Sequence, residues 1–206
     1  MLLSALAESI GSRNINFKDT DITGIEFDSR KVKPGNLYIC INGFKVDGHI
    51  FAKPAVESGA AAIVVERELE DIDVPQLVVK NSRSALAMCA AAWFNHPSKH
   101  LKIIGITGTN GKTTTSHMLK TLLDLNGIKT AALGTIGTYI GDEVHSQKLT
   151  TPYPMELQEI FALARDNDCK VVIMEVSAHA LELNKVEGIK FYASAFTNLS
   201  QDHLDD

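Results

Sequence analysis

A glycine-rich segment in the middle of the chain carries the residue types that bind phosphate. It consists of Gly108, Thr109, Asn110, Gly111, Lys112, Thr113 and Thr114. Glycines allow backbone N–H groups to close on phosphate oxygens, and a helix that begins here adds the positive end of its dipole. Lys112 would neutralise charge on the β- and γ-phosphates, and the Thr113 hydroxyl would ligate Mg²⁺. The segment therefore predicts a site for a nucleoside triphosphate, ATP, with Mg²⁺.

One position departs from the strict phosphate-loop pattern, because Ile106 stands where that pattern has a glycine. Gly105 and Gly108 lie on either side of it. The alternative interpretation is a chance Gly-Lys-Thr at the start of a helix. An apolar strand before the loop and an amphipathic helix after it favour the phosphate loop, since strand, turn and helix follow in the required order.

Strands and helices alternate along the second part of the chain. We expect strands at 101–106, 129–133, 171–174 and 193–197, and helices at 112–126, 155–166 and 177–184. This alternation predicts a mainly parallel sheet with helices on both faces.

The first part of the chain is predicted to form a small α/β domain of its own. We expect helices at 2–9, 51–58 and 82–94, strands at 22–27, 37–41 and 76–79, and an apolar run at 60–65. The boundary is expected near 95–100, which gives domains at 1–97 and 98–206. The fold class is therefore α/β.

Composition excludes several functional classes. The net charge is −5 and the chain has no run rich in lysine and arginine, so neither nucleic acid nor a membrane surface is an expected partner. No apolar run reaches membrane-spanning length, and no secretory signal is recognisable. Cys40, Cys89 and Cys169 lack the spacing of metal ligands, and we expect them to be buried free thiols in a reducing cytoplasm.

Several segments together resemble one enzyme family. The segment 105–114 resembles the ATP-binding motif of the Mur ligases and of their folylpolyglutamate synthetase relatives. Further segments resemble the MurE-type branch, the UDP-N-acetylmuramoyl-tripeptide synthetases, and they are 28–35, 42–43, 47–49, 150–152, 174–181 and 197–205. The resemblance covers nearly the whole chain. It implies a small N-terminal α/β UDP-binding domain followed by an incomplete P-loop central domain with a mainly parallel sheet.

Two further residues are candidates for catalysis and metal binding beside Lys112 and Thr113. Glu175 ends an apolar strand and is expected at the carboxyl edge of the sheet, where open α/β sheets bind ligands. A carboxylate there can hold Mg²⁺ opposite Thr113, the alternative being a solvated acid at a strand end. The resemblance implies that His203 helps to hold a second Mg²⁺, although a lone histidine is more often structural.

The resemblance also implies contacts to a UDP-linked substrate. The expected uridine contacts are Phe27, Ser29, Phe44, Lys45 and Val46. Thr150 and Thr151 are expected to contact the diphosphate or sugar, Ser177 an anionic substrate group, and Lys185 the substrate. From chemistry alone, residues 28–30 form an ordinary turn and Ser177 a helix N-cap. Lys185 stands where the family usually has an arginine, which keeps the charge but loses the planar geometry.

The implied activity is ATP-dependent amide ligation in peptidoglycan synthesis, which underlies cell wall biogenesis, cell shape and cell division. A carboxylate of UDP-MurNAc-L-Ala-D-Glu would form an acyl phosphate, and a free amino acid would then displace the phosphate. The expected amino acid is meso-diaminopimelate, otherwise L-lysine. The protein is expected to be a monomer in the bacterial cytoplasm, with no nucleic acid partner and no membrane insertion.

Three alternatives remain at the level of sequence. They are a Mur ligase that adds D-Ala-D-Ala, a folylpolyglutamate synthetase relative, and a non-catalytic nucleotide-binding fragment. The resemblance implies a longer enzyme of three domains, with a downstream carbamylated lysine and a C-terminal domain for the amino acid. We therefore expect this chain to be an N-terminal fragment that is inactive by itself.

Overall fold

The computed structural model describes residues 1–12, 17–141 and 143–200. It divides into two compact units, Met1–Trp93 and Phe94–Asp206. None of the helices in the described ranges has the length and apolar character needed to cross a bilayer.

The first unit contains a parallel sheet of four strands in the order β1-β2-β3-β4. The strands are β1 Gly24–Glu26, β2 Asn36–Ile39, β3 Ala62–Val65 and β4 Gln76–Val78. The helices are α1 Leu3–Ser9, α2 Ala52–Glu57 and α3 Ser82–Trp93, with 3-10 turns at Ser29–Lys31 and Gly48–Phe51. Strands β2 and β3 are buried along their whole length, as expected for strands in the middle of a parallel sheet.

The second unit contains a six-stranded sheet in the order β10-β5-β9-β6-β7-β8. The strands are β5 Lys102–Thr107, β6 Thr130–Gly134, β7 Gly137–Ile140, β8 Glu143–His145, β9 Val171–Glu175 and β10 Phe191–Phe196. The helices are α4 Lys112–Leu125, α5 Pro154–Asp166 and α6 Ala178–Glu182, with a 3-10 turn at Pro97–Lys99.

The sheet of the second unit is mainly parallel, as predicted. Strands β10, β5, β9 and β6 all run in the same direction. An antiparallel meander through β7 and β8 extends the β6 edge, and the sequence analysis did not anticipate it. Both strands are short and partly polar, so their pattern is weak, and they depend on pairing with β6.

Helices cover both faces of this sheet. Residues Leu157, Phe161 and Ala164 of α5 belong to the core on one face. Leu119 and Leu123 of α4 pack against the core on the other face. Helix α4 therefore starts at the carboxyl end of β5 and crosses the sheet from the loop that carries the candidate phosphate site.

Candidate nucleotide and metal site

The loop between β5 and α4 adopts a conformation that only glycine accepts easily at two positions. Gly108 has a φ of 129° and Gly111 a φ of 85°. A Cβ atom at Gly108 would also overlap the Thr197 hydroxyl and approach the Asn198 carbonyl oxygen at 2.8 Å. These two glycines therefore allow the chain to turn sharply from the strand into the helix.

The N-terminus of α4 and the Lys112 ammonium face the interior of this loop. The Thr115 N–H donates to the Gly111 carbonyl at 2.9 Å, so the amides of residues 112–114 precede the helical ladder. Lys112 Nζ donates to the carbonyl oxygens of Gly108 at 2.7 Å and Thr109 at 2.9 Å. The amides of residues 112–114, the positive end of the α4 dipole and the Lys112 ammonium therefore lie close together. This arrangement suits a phosphate group.

Glu175 lies at the end of β9, between β5 and β6, and its side chain is fully buried. Its Oε2 atom accepts hydrogen bonds from the Thr113 hydroxyl at 2.9 Å and the Thr135 hydroxyl at 3.0 Å. Its Oε1 atom accepts from the Thr135 N–H at 3.1 Å. A Cβ atom at Gly134 would overlap Oε1. The carboxylate is thus fixed in a narrow space beside the start of α4, and the solvated-acid interpretation is wrong.

The Thr113 and Glu175 oxygens fit a magnesium ion. They are 2.9 Å apart. Mg²⁺ binds oxygen at about 2.1 Å in an octahedron, which places neighbouring ligands about 3 Å apart. Among the described residues there is no group of three or more His, Cys, Asp or Glu side chains that could hold a metal. One hydroxyl and one carboxylate, completed by water and phosphate oxygens, is a usual Mg²⁺ environment in nucleotide sites.

The segment after β10 is hydrogen-bonded along the phosphate loop. Asn198 accepts from the Thr109 N–H through its carbonyl and from the Asn110 N–H through Oδ1, both at 3.0 Å. The Asn198 side-chain amide donates to the Asn110 carbonyl at 3.1 Å, and the Thr197 hydroxyl donates there at 2.7 Å. The Ser200 N–H donates to the Thr109 hydroxyl at 3.0 Å. Residues 197–200 therefore order the loop. His203, which was predicted to help hold a second Mg²⁺, lies outside the described residues.

The predicted substrate residues of the second unit lie beside Glu175. The Thr151 hydroxyl donates to the Glu175 carbonyl at 3.0 Å and accepts from the Ser177 N–H at 3.2 Å. Lys185 is buried, and its Nζ lies 3.3 Å from the Thr151 carbonyl and 4.4 Å from the centroid of the Tyr153 ring. The Thr151 hydroxyl is thus engaged within the fold, while Thr150 is partly exposed at the same edge.

Ser177 performs the capping role that its sequence position suggests. Its hydroxyl oxygen accepts from the Ala180 N–H at 3.1 Å at the start of α6. The expected contact of Ser177 with substrate stays a prediction beside this structural role.

The predicted uridine contacts belong to the first unit. Phe27 is half-buried after β1, and Ser29 begins the 3-10 turn capped by Asp28. Hydrogen bonds from Arg30 lower the pKa of Asp28 to about 2. The turn at 28–30 is therefore ordered by its own side chains, and Ser29 keeps its expected substrate role as a prediction.

The second group of predicted uridine contacts forms an exposed loop in the first unit. Phe44, Lys45 and Val46 are all exposed. The Arg83 guanidinium lies 5.3 Å from the centroid of the Phe44 ring and donates to the Asn42 carbonyl at 3.0 Å. Arg83 therefore supports this loop. Arg83 was not among the residues that the sequence pointed to.

Thr135 is the main site residue that sequence reasoning missed. It immediately follows strand β6, next to β9, whose last residue is Glu175. A polar side chain just after a buried apolar strand was the signal that identified Glu175, and it applies equally to Thr135. Thr197 ends a predicted strand in the same way, but the contacts of Thr197 and Ser200 with the loop depend on how β10 pairs with β5.

Two family models match segments of this chain. The model of the family described as "Mur ligase middle domain" matches residues 106–206. The model of the family described as "Mur ligase family, catalytic domain" matches residues 21–94.

Curated relatives are similar over most of the chain. A UDP-N-acetylmuramoyl-L-alanyl-D-glutamate–2,6-diaminopimelate ligase of Bacillus velezensis is 50% identical over 92% of this chain and 39% of its own length. The ligase of the same name from Clostridium botulinum is 46% identical over 100% of this chain and 43% of its own length. The chain spans about two fifths of the length of these curated relatives.

Solved structures show the same fold. A UDP-N-acetylmuramoyl-L-alanyl-D-glutamate–2,6-diaminopimelate ligase matches with a TM-score of 0.80 and 26% identity, over 99% of this chain and 42% of that chain. MurF from Acinetobacter baumannii matches with a TM-score of 0.60 and 23% identity, over 97% of this chain and 41% of that chain. The second likeness concerns the fold alone.

Proposed function

We propose, since the chain belongs to the Mur ligase family, that it supplies the UDP-substrate-binding and ATP-binding domains of an amide ligase. The proposed reaction joins UDP-N-acetylmuramoyl-L-alanyl-D-glutamate to 2,6-diaminopimelate, the substrates in the names of its relatives. The proposal includes ATP and Mg²⁺ as cofactors, residues 1–97 as the UDP domain and residues 98–206 as part of the ATP domain. It also includes a cytoplasmic location in a bacterium, where ATP is available.

The observation that carries the phosphate chemistry is the pair formed by Thr113 and the buried Glu175. Their oxygens are 2.9 Å apart beside the start of α4, in the position where a triphosphate-bound Mg²⁺ would be ligated. Bound there, Mg²⁺ would neutralise negative charge on the phosphates. No other carboxylate of the described residues makes a hydrogen bond to the phosphate-loop helix start in this way.

The chain's own residues provide positioning and charge for phosphoryl transfer. Lys112 would move its Nζ from the Gly108 and Thr109 carbonyls to the β- and γ-phosphates. The amides of residues 112–114 would bind further phosphate oxygens. With this charge neutralised, the substrate carboxylate attacks the γ-phosphorus and ADP leaves. The amino group of diaminopimelate then attacks the acyl phosphate and releases phosphate, so no enzyme nucleophile is required.

Contacts to the UDP-linked substrate are proposed for both units. Phe27, Ser29, Phe44, Lys45 and Val46 would contact the uridine end. Thr150, Thr151, Ser177 and Lys185 would lie near the diphosphate, sugar or peptide. Among the latter, Thr150 is partly exposed at this edge, whereas the Thr151 hydroxyl is buried and engaged with Glu175 and Ser177.

The experiment that tests the function measures ADP release by the full-length protein. We expect release only when ATP, UDP-N-acetylmuramoyl-L-alanyl-D-glutamate and an amino acid are all present, with diaminopimelate preferred over L-lysine. ATP turnover that is indifferent to both acceptors would contradict the proposal. Calorimetric binding of folate in place of UDP would favour the folylpolyglutamate alternative. The 206-residue chain alone is expected to bind Mg²⁺-ATP without forming product.

A further inference from the structure

Thr135 lies between two parts of the candidate site that have separate expected roles. Its hydroxyl oxygen is 3.0 Å from Glu175 Oε2 and 3.1 Å from Thr150 Oγ1. Its backbone N–H also donates to Glu175 Oε1 at 3.1 Å. One residue therefore contacts both the carboxylate expected to hold Mg²⁺ and the hydroxyl expected to contact the substrate.

The direction of the hydrogen bonds follows from the inventory of hydrogens. A threonine hydroxyl has a single hydrogen and can donate to one neighbour at a time. The ionised Glu175 carboxylate only accepts, and a charged acceptor forms the stronger bond. The Thr135 hydrogen therefore lies toward Glu175, and Thr150 donates its own hydrogen to Thr135 Oγ1. In this state Thr150 presents lone pairs, and not a hydrogen, to an anionic ligand.

We propose that Thr135 is a positioning residue that couples occupation of the metal site to anion recognition by Thr150. When Glu175 Oε2 ligates a cation, the Thr135 hydroxyl loses its charged acceptor. It then turns its hydrogen toward Thr150. The Thr150 hydrogen is then available to an anionic oxygen, such as one in the diphosphate of a UDP-linked substrate. This inference rests on the proposed function for the identity of the metal and of the substrate.

The coupling has a defined sign. Metal binding converts Thr150 from an acceptor into a donor, so it strengthens substrate binding, and by linkage the substrate strengthens metal binding. A hydrogen bond to a charged group corresponds to roughly a tenfold change in affinity. A purely structural role for Thr135, as a turn residue between β6 and β7, would instead weaken substrate binding equally with and without metal.

The test uses three single variants and one double variant of the full-length protein. Thr135→Val removes the hydroxyl and keeps the branched shape, Thr135→Ser keeps the hydroxyl, and Thr150→Val removes its partner. Calorimetry would give the dissociation constant of UDP-N-acetylmuramoyl-L-alanyl-D-glutamate in the presence of ADP, with Mg²⁺ and with EDTA. We expect wild-type and Thr135→Ser proteins to bind roughly tenfold more tightly with Mg²⁺. Thr135→Val, Thr150→Val and their double variant should lose this dependence to the same extent.

Each outcome has a distinct meaning. A Thr135→Val protein that keeps the wild-type metal dependence overturns the inference, and so does a Thr135→Ser protein that loses it. If the wild-type protein binds the substrate equally with Mg²⁺ and with EDTA, the coupling is absent while the proposed function stands. If the wild-type protein binds no UDP-linked dipeptide at all, the proposed function fails and the inference fails with it.

Discussion

The Glu175 carboxylate illustrates how single residues determine the candidate site. It is fully buried, and its two oxygens accept from two threonine side chains and one backbone amide. Its position also depends on the absence of a side chain at Gly134, whose Cβ would overlap Oε1. A charged group buried this deeply is stable only when it is fully hydrogen-bonded, or when it binds a cation.

Gly134→Ala is expected to displace the Glu175 carboxylate, because the added methyl group occupies the space of Oε1. The affinity for Mg²⁺-ADP should fall by about tenfold or more, the usual cost of disturbing a group that orients a metal ligand. Calorimetry measures this affinity. The control is the affinity for ADP in EDTA, measured in the same way, which should change little. Equal losses with and without metal would contradict the assignment of Glu175 as a metal ligand.

Asp47 is the residue whose charge most clearly orders the first unit. The Glu66 N–H donates to His49 Nε2 at 2.9 Å, so the His49 proton lies on Nδ1, which donates to Asp47 Oδ1. Arg67 donates to Asp47 Oδ2 at 2.7 Å. The Arg67 hydrogen bond, helped by His49, holds the pKa of Asp47 well below its ordinary value. These contacts order the base of the loop that carries Phe44.

Asp47→Asn is expected to lower the free energy of unfolding at pH 7 by about 1 kcal/mol, allowing for solvent screening. Because the folded-state pKa of Asp47 is depressed, its contribution is complete above the ordinary value of 3.8 and declines as the pH falls below it. Urea unfolding should therefore show a smaller difference from wild type at pH 3 than at pH 7. Asp73→Asn, at an exposed position in the same unit, is the charge-matched control. A difference that is constant with pH would contradict this role.

Among the structural elements, the phosphate loop is ordered by a segment distant in sequence. Asn198 Oδ1 accepts from the Asn110 N–H, although these residues are 88 positions apart. The contact exists because β10 pairs with β5, which brings the residues after both strands to the same edge of the sheet. The loop is therefore shaped by its glycines and stabilised by residues 197–200.

Asn198→Ala is expected to weaken ADP binding by about tenfold, because it removes two side-chain hydrogen bonds to Asn110 and leaves the loop less ordered before binding. Leu199→Ala is the matched control, since Leu199 is the next residue and is 84% exposed. Calorimetry with ADP measures both variants. Equal affinities of the Asn198→Ala and wild-type proteins would show that the loop is ordered without this contact.

At the scale of the whole molecule, two separate units each contain their own core. Cys40 and Cys89 are buried free thiols in the first unit, and Cys169 is a buried free thiol in the second. Burial raises the pKa of Cys40 and of Cys89 to about 12, and it raises the pKa of Cys169 as well. The expectation of buried free thiols is thus confirmed. The reactivity of these thiols can therefore show whether each unit is folded.

Thiol labelling of the native protein at pH 8 is expected to be about a thousandfold slower than labelling in denaturant, because both burial and raised pKa suppress the thiolate. In denaturant, three thiols should react rapidly. Mass spectrometry of partly labelled samples would show which unit opens first. Rapid labelling of any one cysteine in the native protein would contradict the burial of that residue.

The sequence by itself determined the α/β class, most helices and strands, and the glycine-rich loop between β5 and α4. These features are local, since an apolar run, a glycine pair and a helix start lie within a few residues of one another. It also predicted Glu175 at the sheet edge, because strand ends in a parallel sheet share one edge.

Only the tertiary structure showed the β7–β8 meander, the contacts of Thr135 with Glu175, and the contacts of residues 197–200 with the loop. Thr135 and Glu175 are 40 residues apart, and their contact requires β6 and β9 to be neighbours in the sheet. Strand order is decided by packing across the entire unit, and no local pattern encodes it. The same sheet order therefore brings the phosphate loop, Glu175 and Thr150 into a single candidate site.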